Sequence, residues 1–183
     1  MRRHLVIVAL GLLPAWAASA AELPTRKAGL WDLKMTFEGR NVPPQTIQHC
    51  TDPATDKLMT ANFGALGREQ CSQRDIQVSG STITMDSVCK FGAVTSTSHA
   101  VVSGDFNRAY TVKVTSRREG GPAAAGGETN MTIEATWVGP CKSDQKAGDM
   151  VLPGGQKFNV RDLQNRPGGP GGPGGPPTPG QRK

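Results

Sequence analysis

Four cysteines constrain this chain more than anything else in it: Cys50, Cys71, Cys89 and Cys141 are an even set, spread over most of the foldable length. A structural zinc site usually draws two ligands from one tight turn, and no Cys-x-x-Cys pair is present to supply them. His49 beside Cys50 does not substitute, because adjacent strand residues point to opposite faces. Two disulfides are therefore expected, which requires an oxidising compartment. Four cysteines allow three connectivities. The runs Ser72 to Val78 and Thr82 to Val88, joined at Ser79-Gly80-Ser81, read as a hairpin that brings Cys71 near Cys89. With Ile76 facing Ile83, Cys71 would lie opposite Val88, so that bridge needs a bulge or a three-residue loop. Cys50 and Cys141 would then close the ends of the domain.

The N-terminus agrees with an oxidising destination. Arg2, Arg3 and His4 precede an apolar run from Leu5 to about Ala17, and Ala18-Ser19-Ala20 places small residues where a signal peptidase cuts. Residues 1–20 read as a signal peptide and the mature chain as beginning at Ala21. The apolar run is shorter than the roughly 20 residues a membrane-spanning helix needs, and no second one follows, so no transmembrane segment is expected in the mature chain. Lipidation at the cut would need a cysteine there, and the first is Cys50. The expected location is the periplasm or the exterior.

Residues 21–160 read as one β-rich domain, a common size for a single domain. Net charge falls from +6 to about +4 once Arg2 and Arg3 leave, a mild excess that solvated surface charge accounts for. Apolar side chains alternate with polar ones along Trp31 to Phe37, Phe106 to Val114 and Met131 to Trp137, the period of a half-buried strand. Gln45 to Cys50 and Ala93 to Ser103 are further strands, and Ser103-Gly104-Asp105 reads as the turn into the Phe106 strand. One short helix is expected after Cys50, with Asp52 as its cap, Pro53 in its first position and Leu58 and Met59 facing inward. Strands at short intervals with turn residues between them predict a mainly β fold: a single antiparallel, curled sheet or a partly open barrel or sandwich.

Glu119 to Gly127 is a glycine-rich hairpin connection, and Met150-Val151-Leu152 with Phe158-Asn159-Val160 offers a last short strand. Residues 161–183 read as a tail whose Gly-Gly-Pro repeats are too few for a collagen helix.

No catalytic constellation emerges. His49 and His99 lack an acid and a nucleophile at motif spacing, and Asp52, Asp56 and Glu69 are explained by capping and solvation. Phosphate-binding glycine loops are missing, and Lys113, Arg117 and Arg118 lack the aromatic platform of a nucleic-acid surface. The expectation is a protein that is not an enzyme, with no cofactor, no metal and no nucleic-acid partner.

Ala28-Gly29-Leu30-Trp31-Asp32 and Pro43-Pro44-Gln45-Thr46-Ile47-Gln48-His49-Cys50-Thr51, in that order after a signal, resemble an exported bacterial family, domain of unknown function 3617 (DUF3617). Its Lys-x-Gly-Leu-Trp-like start is similar to Lys27 to Trp31, and its cysteine-headed acidic helix to Cys50 to Lys57. Its cysteine-to-cysteine hairpin is similar to Cys71 to Cys89, and its closing Gly-Pro-Cys to Gly139-Pro140-Cys141. The resemblance spans Ala28 to Cys141, and the chain departs from it from Lys142 onward. It implies an exported β domain and brings no catalytic residues with it.

Two roles from different classes follow. One is a binding module that holds an apolar small molecule or lipid between Trp31, Phe37, Tyr110 and Trp137. The other is a structural or interaction protein that docks an envelope component through its sheet edge or C-terminal tail. A ligand-sized cavity would favour the first; a solid core beside an exposed apolar patch or open strand edge would favour the second.

Overall fold

The computed structural model describes residues 23–65, 71–121 and 127–164. The signal-peptide reading and all of the tail beyond Gln164 lie outside them. The strands are β1 (Gly29–Glu38), β2 (Gln45–Thr51), β3 (Cys71–Ser79), β4 (Thr82–Phe91), β5 (Val94–Asp105), β6 (Ala109–Glu119), β7 (Gly127–Gly139), β8 (Asp149–Val151) and β9 (Lys157–Asn159). The described residues also form two helices, α1 (Pro53–Ala65) and α2 (Val160–Gln164). The strands form one antiparallel sheet, not closed on itself, in the order β3-β4-β5-β6-β7-β1-β2-β8-β9.

Alternation along each strand sorts the side chains into two faces. One row crosses six strands as Val78, Ile83, Val102, Val112, Ile133 and Met35, and a second as Ile76, Met85, Ala100, Val114, Met131 and Phe37. Opposed residues of antiparallel strands share a face, so these rows make one apolar band. Lys34, Lys113, Thr132 and Glu134 occupy the other face, where Lys34 pairs with Glu134 at 3.2 Å.

Both disulfides form. Cys71–Cys89 clips the β3–β4 hairpin and Cys50–Cys141 ties β2 to the segment after β7. The hairpin register differs from the sequence expectation, since Ile76 faces Met85 and Val78 faces Ile83. The two-residue turn is Gly80-Ser81, where Gly80 has φ +59°. Glycine first in such a turn is the pattern of a type II′ hairpin. A bulge between Cys71 and Gln73 then brings Cys71 opposite Cys89.

The β5–β6 turn also differs. Ser103-Gly104-Asp105 ends β5, and Phe106-Asn107-Arg108 is the turn, because the Asp105 carboxylate accepts the Asn107 amide at 2.8 Å and its carbonyl accepts that of Arg108 at 3.0 Å. A local Asx contact outcompetes the alternation that assigns Phe106 to a strand.

Helix α1 begins as expected. The Asp52 carboxylate accepts the Thr55 amide at 2.7 Å, and the Thr55 hydroxyl accepts the Asp52 amide at 2.9 Å. The Thr55 amide and the Thr55 hydroxyl, which also donates to the carboxylate at 2.7 Å, hold the Asp52 carboxyl below its ordinary pKa. Among residues 53–59 of the helix, Thr55 and Asp56 are buried, while Leu58 and Met59 are half-buried. Both helices pack against each other at the β2 and β9 end of the sheet. In place of one last strand the chain forms the β8–β9 hairpin, and residues 161–164 continue into α2.

Candidate functional site

A largely buried polar cluster is built by the segment leading into β1. Lys27 donates its amide to the Phe106 carbonyl at 2.9 Å, which lays residues 26–28 across the end of the sheet. Arg26 then turns inward. Its backbone amide and Nε both donate to the Asp56 carboxylate, at 2.8 and 2.6 Å, in a pair that is nearly sequestered from solvent. Its Nη2 lies 3.1 Å from His49 Nδ1, and its Nη1 donates to the Tyr110 hydroxyl at 3.4 Å. One guanidinium thus joins β2, α1 and β6, a use of the planar fork that lysine cannot reproduce.

His49 is fully buried. Burial, reinforced by the Arg26 charge, lowers its pKa to about 3, so its ring is neutral at physiological pH. Burial also pushes the Tyr110 phenol up. The cluster is well suited to holding the N-terminal segment on the sheet: its cation is committed to Asp56 and its imidazole is uncharged. Among the described residues no group of three or more His, Cys, Asp or Glu could hold a metal ion.

Of the aromatic residues singled out from sequence, three gather here. Trp31 is fully buried, with its ring centroid 5.5 Å from that of Tyr110 and its indole N–H donated to the Lys27 carbonyl at 2.8 Å. Trp137 opposes Trp31 in the register, donates to the Ala28 carbonyl at 3.0 Å, and carries Lys27 Nζ 3.5 Å above its ring. Phe37 lies six residues from Trp31 along β1, about 20 Å at ordinary strand rise, in the apolar band. The four therefore do not line one pocket. Trp31 fills the core, while Phe37 belongs to a surface that alternation in a single strand does not reveal.

That surface is the second candidate. In the Phe37 row every side chain is half-buried; in the Met35 row Ile83 and Val102 are buried, Val78 is exposed, and the others are half-buried. The substantial contacts of β3 to β7 are with their sheet neighbours, and the described helices lie at the far end. The next row beyond Phe37 changes character to Ser87, Ser98, Ser116 and Thr129. Ser98 and Ser116 are hydrogen bonded at 3.0 Å, and Arg40 donates to Thr129 at 3.1 Å.

A third feature is an open polar depression of about 540 Å³ between the β7–β8 connection and α2, lined by Asp144, Lys146, Asp149, Lys157, Phe158 and Asp162 among others. Its groups are mutually engaged. Lys157 bonds Asp144 and lowers its pKa. For Asp149, burial is outweighed by the Asn159 side chain at 2.7 Å and the Lys146 amide at 3.0 Å, which keep it ionised. His99, the other histidine weighed from sequence, is exposed and lies 2.7 Å from Asp86 across the β4–β5 pair.

Residues 26–141 match the model of a family described as a protein of unknown function (DUF3617). No curated protein and no solved structure matches the chain.

Proposed function

The chain belongs to this family of unknown function, which assigns it no activity, and from the surface it carries we propose that it is an exported binding module for an apolar small molecule or lipid. The observation that supports this reading most is the apolar band, two rows deep and six strands wide, in which all the side chains but the buried Ile83 and Val102 are left half-buried or exposed by the elements described around it. Covering the remaining apolar area is worth roughly 25 cal/mol per Å² to whatever does so. Large apolar patches on a soluble domain mark interaction sites. The two disulfides suit an oxidising compartment outside the cytoplasm, where apolar molecules crossing water need a protein surface.

The band replaces the pocket between Trp31, Phe37, Tyr110 and Trp137 as the ligand surface in this proposal, with Phe37 the member they share. An interaction role rests on β3, whose outer edge ends the sheet and pairs with no other strand among the described residues. Arg74 and Asp75 at the middle of that edge are charges of the kind that discourage strand addition, which favours the apolar face over the edge.

Native mass spectrometry of protein purified gently from the cell envelope, before and after organic extraction, tests the proposal. An extractable small-molecule adduct on the disulfide-intact chain is the expected result. A bare mass, or one raised by a second polypeptide, overturns it in favour of an interaction role.

A further inference from the structure

We infer that the molecule taken up by the apolar band is a single anionic amphiphile, whose chain lies on the band and whose head group lies along the hydroxyl row beside it; this rests on the binding role just proposed. The band has unlike borders. Towards Trp31 it ends in the buried, committed Arg26 cluster. At the opposite end, alternation continues on the same face into Ser87, Ser98, Ser116 and Thr129, four hydroxyls side by side on β4 to β7.

Guanidinium groups attend that border. Arg40 reaches it by donating to Thr129, and exposed Arg118, opposed to Ser96 and Gly127, follows Ser116 on the same face of β6. The carboxylates nearby are sorted away by the same period: Asp86, Glu119 and Glu128 fall on the other face, where Glu119 pairs with Arg117. An apolar field bordered by hydroxyl donors and positive charge, with those acids turned to the far side, complements a chain ending in a carboxylate or phosphate.

Dimensions agree. Ser116 and Tyr110 are six residues apart on β6, about 20 Å at ordinary strand rise. One leaflet of hydrocarbon, half of a core about 30 Å thick, is shorter than that, so a single extended chain can lie between the two borders.

The test uses delipidated, disulfide-intact protein and three amphiphiles of one chain length, dodecanoate, dodecyl maltoside and dodecyltrimethylammonium. Each is titrated below its micelle concentration at low ionic strength. Dodecanoate is expected to bind about fivefold to tenfold more tightly than the maltoside, with the ammonium weakest, and the preference should shrink as salt is added. In the double variant Arg40→Gln/Arg118→Gln, dodecanoate should fall to within about twofold of the maltoside while maltoside affinity holds, both arginines being solvent-exposed surface positions whose loss leaves the core intact. Equal binding of all three, or a preference for the cation, overturns the head-group assignment and leaves the apolar surface standing. Binding to anionic vesicles without binding of monomeric dodecanoate overturns it in favour of a membrane surface. Binding of none of the three overturns the underlying reading as well.

Discussion

Arg26 Nη2 lies 3.1 Å from Nδ1 of the fully buried His49. Guanidinium is a donor with no acceptor capacity, so His49 must accept through Nδ1 and carry its single proton on Nε2. That Nε2–H is buried and has no hydrogen-bond partner among the described residues. Adding a proton at Nδ1 would replace the accepted bond with two cationic groups in contact.

An acid sensitivity follows. The His49 pKa is about 3 in the folded chain, against about 6.5 unfolded. Between those values the unfolded state binds a proton that the folded state refuses, so this residue's contribution to stability falls as pH drops from about 6.5 towards 3, by at most about 1.4 kcal/mol per pH unit. Urea unfolding across that window is expected to lose stability with acidification, and less steeply in His49→Gln. Equal slopes would refute the assignment.

The Arg26–Asp56 pair gives an asymmetric pair of mutants. Arg26→Met leaves the Asp56 carboxylate enclosed without this cation and is expected to cost about 3–5 kcal/mol. The double change Arg26→Met/Asp56→Leu removes the buried carboxylate together with its cation and should recover part of that loss. With Asp56→Leu measured alone as well, a double variant less stable than the parent by the full sum of the two single changes would show that the pair is not coupled.

The two disulfides should differ in worth. Cys50–Cys141 closes 91 residues of sequence separation and Cys71–Cys89 closes 18. In the chain-entropy account the longer loop contributes about 1.4 kcal/mol more. Serine pairs at each bridge, compared by denaturant unfolding, should rank accordingly, and the opposite ranking would contradict it.

Gly29 opens β1 at φ +129°, and a Cβ there would collide with the Gly139 carbonyl and the Trp137 indole nitrogen. Gly29→Ala should therefore destabilise the domain by roughly 1–3 kcal/mol, the range of a strained backbone position. A thermal midpoint unchanged from the parent would show that the β1 entrance relaxes freely.

Much of this architecture is legible in the sequence because strand period and turn chemistry are local. Trp31 to Phe37, the Asp52-Pro53 helix start and the Cys71–Cys89 hairpin are each settled by neighbours a few residues apart. The hairpin register was not legible, since a bulge at Cys71 and a turn at Gly80-Ser81 shift the pairing without changing the pattern. Phe106 carries the alternation of β6, yet its neighbour Asp105 takes it into a turn.

The candidate surface was hardest to read. Phe37, Met131, Val114, Ala100, Met85 and Ile76 come from six strands, and only the pairing registers make them one row. Arg26 is equally silent in sequence. Nothing near it in the chain indicates that it will meet Asp56 and His49, which lie 30 and 23 residues away.

Methyl NMR of the intact protein titrated with dodecanoate shows whether a ligand binds on the apolar face of the sheet. Shifts are expected to concentrate at Met35, Val112, Val114, Met131, Ile133 and Met85, with Val101 and Val138, outside these two rows, unmoved. Shifts absent from the band, or confined to the depression beside Phe158, would contradict binding on that face.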